Sequence, residues 1–176
     1  MNVFLSYGVI VGILVGIIIA IVLLKMANTD HKVKTEYDER QEAIRGKAYC
    51  YSFYTTVIYE VLMIMLSMAE IELPIEDYIL HFGGIFAGCL VLCVYSIWHG
   101  VYWGLNNDHR RYMIVIAICI VLNMIPVIGI FRGNLFSENG KIGMPMLNVM
   151  VLIMLIVVCA ELLIKKSMDK KNAEED

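Results

Sequence analysis

Two polar side chains sit deep in otherwise apolar runs, Glu60 and Asn123. An ionisable group at such a depth is a functional candidate by default, because holding its charge in hydrocarbon costs about 2.5–3.5 kcal/mol or more. Counted from the charged, cytoplasmic ends of their runs, Glu60 lies about twelve residues in and Asn123 about eleven, which at 1.5 Å per residue puts both near the bilayer midplane. If the two helices are neighbours, Glu60 and Asn123 can share a hydrogen bond. The chemistry would be that of a proton or cation site; the plainer reading is a protonated, hydrogen-bonded glutamic acid that holds helices together.

The other reactive side chains lead to no reaction. Cys50, Cys89, Cys93, Cys119 and Cys159 all lie in apolar runs, where free cysteine acts as a small hydrophobe. Cys89 and Cys93 share a helix face, but no CxxC motif or histidine pair completes a metal site. His81 and His99 are separated by about 27 Å along one helix and cannot share a metal. There is no H-E-x-x-H, G-x-S-x-G, P-loop or GxGxxG pattern. No catalytic residue, cofactor or metal is therefore expected, and the chain is not read as an enzyme. Glu161 is expected to pair with Lys165 one turn on.

The densest ordered charge is the stretch Asp38-Glu39-Arg40-Gln41-Glu42-Ala43-Ile44-Arg45-Gly46-Lys47-Ala48, which runs straight into an apolar segment. Thr35-Glu36-Tyr37-Asp38 fits the S/T-x-x-D/E capping pattern, so a helix is predicted to start at Thr35. Tyr37, Gln41, Ile44, Ala48 and Tyr51 then share one stripe, and Arg40 and Lys47 another face. Gly46 marks a bend or a close helix approach. Arg40 and Arg45 either present themselves to a partner or pair with Glu36, Gln41 and Asp108.

These features have to be positioned by helices in a membrane. Of 176 residues, 60% are apolar and 18% charged, and mean hydropathy is +0.72. A soluble domain carries about 45–50% apolar and about 25% charged residues. The charges fall in clusters that separate apolar runs of about 20 residues, each able to cross about 30 Å of hydrocarbon. The runs do not alternate, which argues against a β-barrel. The fold class is all-α: a single polytopic helical membrane domain with five spans, at 4–24, 48–69, 78–105, 112–131 and 144–164, a helical extension at 35–47 and a charged tail at 165–176. The first run lacks a basic leader and a small-residue cleavage site, and reads as a retained span. Pro126 should kink or shorten the fourth span.

Orientation follows from Lys and Arg near the span ends. Twelve fall on one side, in the 25–47 connection, the 106–111 loop and the tail; two, Arg132 and Lys141, fall on the other. The positive-inside rule places the N-terminus outside and the C-terminus in the cytoplasm of a prokaryotic cell membrane, with Asp38–Ala48 cytoplasmic. Gly8, Gly12 and Gly16, followed by Ala20, form a small-residue stripe suited to close helix packing, within the chain or with a second copy. Gly84 and Gly88, and Gly100 and Gly104, are spaced for the same purpose. No internal repeat of the kind found in transporters is present.

The element D-E-R-x-x-x-I-x-x-K-A, carried here by Asp38, Glu39, Arg40, Ile44, Lys47 and Ala48 directly before a span, resembles that of a group of uncharacterised small prokaryotic integral membrane proteins. The resemblance covers about 25 residues and implies no activity, cofactor or fixed number of spans.

The expected partners are membrane lipids and a cytoplasmic or membrane protein, with a homo-oligomer through the Gly8/Gly12/Gly16 face. Nearby acids offset the basic residues, which argues against nucleic acid and against a dedicated anionic-lipid patch. The leading expectation is a non-enzymatic membrane protein acting through contacts of the Asp38–Ala48 helix. The alternative is a small transporter or permease-like subunit with a polar site at Glu60 and Asn123.

Overall fold

Each apolar run forms a helix, because only helices and closed barrels satisfy every backbone polar group in lipid. The computed structural model describes residues 3–130, 136 and 140–175, with side-chain surroundings for all of these except 3–10, 12, 13 and 175. Its elements are α1 (Val3–Ala27), α2 (Glu39–Met68), α3 (Asp77–Trp98), α4 (His109–Ile130) and α5 (Pro145–Glu175). Among the described residues the only extended pairing is in isolated bridges between connections. Four helices, α2 to α5, are long and apolar enough to cross a membrane. Their outward surfaces carry large hydrophobic side chains such as Phe53, Ile58, Met65, Val121 and Ile125. A water-soluble monomer rarely shows so extensive an apolar surface, whereas lipid is its natural solvent.

The chain divides into two compact units, Met1–Asp38 with Trp103–Ala117, and Glu39–Tyr102 with Ile118–Asp176. In the second, α2 packs on α3 and α3 on α5. The close approach expected at Gly84 and Gly88 is present. A Cβ at Gly84 would lie 2.7 Å from Glu60 Oε1 and 2.8 Å from Tyr59 Cδ1; one at Gly88 would overlap Thr56 Oγ1. Thr56 uses this proximity, donating to the Ser52 carbonyl of its own helix at 3.1 Å and lying 3.3 Å from the Gly84 carbonyl. Ala48, Ile79, Ile97, Val101 and Val158 form the buried apolar core. In the same unit Glu76 N–H donates to the Ile142 carbonyl and Ile142 N–H to the Pro74 carbonyl, tying the α2–α3 connection to the α4–α5 connection.

In the first unit the α1–α2 and α3–α4 connections are joined by asparagines. Asn28 is fully buried and Asn106 nearly so. Asn106 donates to the Lys34 carbonyl at 3.0 Å and accepts the Glu36 N–H at 2.9 Å. Asn107 donates to Asn28 Oδ1 at 2.7 Å, and Asn28 donates to the Lys32 carbonyl at 2.8 Å. Three backbone bonds complete the seam, Thr29 N–H to Asn106, Leu105 N–H to Glu36 and Asp108 N–H to Ala27.

Several expectations are corrected. Helix α2 starts at Glu39, not Thr35. The Glu36 N–H and carbonyl are engaged by Asn106 and Leu105, so this segment is held extended instead of entering a helical turn. Helix α3 ends at Trp98, not near Leu105. Gly100, at φ +70°, bonds back to the Ile97 carbonyl, and Val101 N–H bonds to Ser96, the Schellman pattern that closes a helix. Gly100 therefore terminates a helix and does not pack one, and a Cβ there would meet nothing. Gly104 lies in the connection, where a Cβ would overlap Thr35 Cγ2. A Cβ at Gly46 would also meet open space, and α2 runs through it. Helix α4 continues past Pro126 to Ile130. The tail continues α5 to Glu175, with Lys165–Asp169 and Lys170–Glu174 pairs one turn apart. Arg132 and Glu138 lie outside the described residues, as do the side-chain surroundings of Gly8 and Gly12. A Cβ at Gly16 would meet nothing within 4 Å.

Candidate functional site

The first candidate is the start of α2. At 30 residues the helix is about 45 Å long, about 15 Å more than a hydrocarbon core needs. Its first turns carry Glu39 and Glu42, acids suited to the positive end of the helix dipole. Asp38, Glu39, Arg40, Glu42 and Lys47 are exposed, whereas Gln41, Ile44 and Arg45 are half-buried and Ala48 is buried. Of the sequence stripe Tyr37, Gln41, Ile44, Ala48 and Tyr51, only Gln41, Ile44 and Ala48 form the inward face of α2, since Tyr37 precedes the helix and Tyr51 is exposed; Asp38, Glu39, Arg40, Glu42 and Lys47 bring charges of both signs to the outward one.

Arg45 belongs to the inward group. Its guanidinium donates to Tyr49 Oη at 3.0 Å and lies 5.6 Å above that ring. It is also 3.4 Å from the Val101 carbonyl just past the α3 terminus. Asp108, named among the alternative partners of Arg40 and Arg45, accepts the Arg110 N–H at 2.9 Å and pairs with Arg111 at 3.1 Å. Arg45 therefore anchors α2, while Arg40 stands on the exposed face.

The second candidate is Glu60. Its carboxylate meets His81 Nδ1 at 2.7 Å. Asn123 donates to the Cys119 carbonyl of its own helix at 2.8 Å. Among the described residues no hydrogen bond joins Glu60 to Asn123, so the expected midplane pair is not assembled. His81 was missed because depth was counted only from the charged end. From the other end Glu60 is about 12 Å below Met68 and His81 about 6 Å below Asp77, within reach across a short connection.

Glu161 accepts a hydrogen bond from Trp98 Nε1, and Lys165 takes Asp169, in place of the expected Glu161–Lys165 pair. Cys89 is exposed and Cys93 half-buried. Among the described residues no three His, Cys, Asp or Glu side chains converge as metal ligands. Asn28, Asn106 and Asn107 were also missed. The Asn-Thr-Asp at 28–30 and Asn-Asn-Asp at 106–108 were the available signal, since such residues bond neighbouring backbone in turns.

Asp30 lies in the same asparagine-lined connection. Its carboxylate accepts the Lys32 N–H at 3.1 Å, and this bond, helped by Asn106 and by the Lys32 ammonium, outweighs desolvation and holds its pKa below the ordinary value.

No protein-family model, curated protein or solved structure matches the chain.

Proposed function

We propose that this is a five-span, non-enzymatic protein of a prokaryotic cell membrane that acts through protein contacts made by the start of α2. The observation that carries the reading is the split of that segment. Gln41, Ile44, Arg45 and Ala48 turn inward, while Asp38, Glu39, Arg40, Glu42 and Lys47 face outward with both signs of charge. A mixed-sign surface suits a protein partner, since nucleic acid and anionic lipid both favour uncompensated positive charge.

The topology rests on two kinds of support. Twelve of the fourteen Lys and Arg lie on one set of connections and the tail. The hydrogen bonding sorts the connections in the same way, α1–α2 with α3–α4 and α2–α3 with α4–α5. With α1 as the first span, the N-terminus is outside and the start of α2 is cytoplasmic. The resemblance of Asp38–Ala48 to small prokaryotic membrane proteins belongs to this reading, as does self-association through Gly8, Gly12 and Gly16. The open space around Gly16 leaves that position available to a second copy. A transporter-like site built from Glu60 and Asn123 has less support, because each side chain has a different partner.

The test is the double charge reversal Glu39→Lys/Arg40→Glu in the full-length protein, purified in mild detergent and compared with wild type for thermal stability and co-purifying proteins. Unchanged stability with loss of a reproducible partner is the expected result. Retention of every partner by the folded variant overturns the reading.

A further inference from the structure

The first turns of α2 carry charges whose counterparts are not on their own helix. Glu42 and Lys47 are exposed, and among the described residues neither makes an ion pair. Opposite charges on one helix pair when they are three or four residues apart. Lys47 has Ala43, Ile44, Cys50 and Tyr51 at those distances, none of them charged. Glu42 has Asp38, Glu39 and Gly46, and its one base, Arg45, is turned to Tyr49 and the Val101 carbonyl. Between Glu42 and Lys47 runs a strip of small side chains, Ala43, Gly46 and Cys50, all exposed, and a Cβ at Gly46 meets nothing. On a helix of 3.6 residues per turn, Glu42 and Lys47 stand about 70° to either side of this strip. One flank is therefore acidic, and the other, with Arg40 beside Lys47, is basic.

Such a face is complementary to itself. Copies of one membrane protein share one orientation, so two α2 helices meet side by side and parallel, related by a two-fold axis along the membrane normal. That axis turns the acidic flank of each helix toward the basic flank of the other. In heptad letters Ala43, Gly46 and Cys50 take a, d and a, Glu42 takes g and Lys47 takes e, the positions that carry salt bridges between parallel helices. Resting on the reading of this segment as a protein-contact surface, we propose that its partner is the start of α2 in a second copy of this chain. Glu42 of each copy pairs with Lys47 of the other, and the Ala43–Gly46–Cys50 strips lie in contact, small enough for the backbones to approach closely. Glu39, at the free end of the strip, lies beside Arg40 of the second copy. Phe53 follows Cys50 on the same strip. Its ring, held 5.8 Å from that of Tyr54, is too bulky for the close approach, so the helices part there.

The test is oxidative crosslinking of the full-length protein in native membranes, with Cys50 as the reporter. Cys50 is exposed on the strip, so pairing brings the two thiols together. A disulfide-linked dimer is expected for wild type and not for Cys50→Ser, in which exposed Cys89 remains to register random collision. Glu42→Lys and Lys47→Glu each set like charges across the seam, and each is expected to lower the crosslinked fraction about tenfold. The exchange Glu42→Lys/Lys47→Glu is expected to restore it, which a variant that merely misfolds cannot do. No dimer in wild type, a dimer that survives in Cys50→Ser, or a dimer indifferent to the single reversals or not restored by the exchange overturns the pairing. The contact reading fails separately. If the Cys50 dimer is absent but a different protein is lost from Glu39→Lys/Arg40→Glu, the surface stands and its partner is not a second copy.

Discussion

Asn107 donates its side-chain amide to Asn28 Oδ1 at 2.7 Å, joining two connections that are 79 residues apart in the chain. Asn28 is completely buried, and Asn107 Oδ1 also accepts the Gly104 N–H at 2.7 Å. Removing either side chain leaves polar groups without partners, which costs about 1–3 kcal/mol for each buried group. Asn28→Ala and Asn107→Ala should each lower stability by that order, and the double variant should lose less than the sum. A coupling energy of about 0.5–3 kcal/mol from thermal unfolding in mild detergent is expected. Strict additivity would mean that the bond does not form.

Two glycines of α2 and α3 should respond in opposite ways. Gly88→Ala drives a methyl group onto Thr56 Oγ1 and to 3.1 Å from the Ser52 carbonyl, forcing the helices apart. A loss of about 1–3 kcal/mol is expected, the usual cost of overpacking. Gly46→Ala adds a methyl group in open space, so helix propensity should raise stability by up to about 1 kcal/mol. Paired unfolding curves check both signs at once.

Glu60 is predicted to matter as an acceptor for His81 more than as a charge. Glu60→Gln keeps an oxygen that can take the Nδ1 proton and should stay within about 1 kcal/mol of wild type. Glu60→Leu strands the imidazole N–H and should cost about 1–3 kcal/mol. Nitrogen chemical shifts of His81 should report a bonded Nδ1–H in wild type and Glu60→Gln, and its loss in Glu60→Leu.

How far the sequence carried these features depends on the range of the interaction. Apolar run length located α2 to α5, because crossing hydrocarbon is a requirement on each helix alone. Local patterns failed where a distant partner competed. The Thr35 capping pattern was sound, but Asn106, 70 positions from Glu36, claimed that residue's N–H. Glu161 had a lysine one turn away, yet the indole of Trp98 reached it from α3. Gly100 could have been read from sequence alone, since a glycine followed by Val101 after an apolar run fits a helix terminus as well as a packing stripe. At the start of α2, helical periodicity separated the inward Gln41, Ile44 and Ala48 from the charged residues; only the structure assigned Arg45 to the anchoring side.

Acid should loosen the first connection. The pKa of Asp30 is lowered in the folded state, chiefly by the Lys32 N–H, so its stabilising bond is complete above the ordinary carboxylate range. That contribution is lost as pH falls below about 4 and through the folded value. Amide exchange at Lys32 should therefore accelerate on acidification, and Asp30→Asn should flatten the dependence. An unchanged pH response in that variant would assign the effect to another group.

Protein contact at the start of α2 is tested most directly by site-specific photocrosslinking in intact cells. A benzophenone amino acid in place of exposed Arg40 should give one discrete protein adduct, and this should vanish when Asp38→Lys and Glu39→Lys are added. The same probe at Phe53, on the apolar exposed surface of α2, should not give that adduct. If Arg40 yields no protein adduct, or an adduct indifferent to the charge reversals, the start of α2 is an anchor for its own helix and not a contact surface.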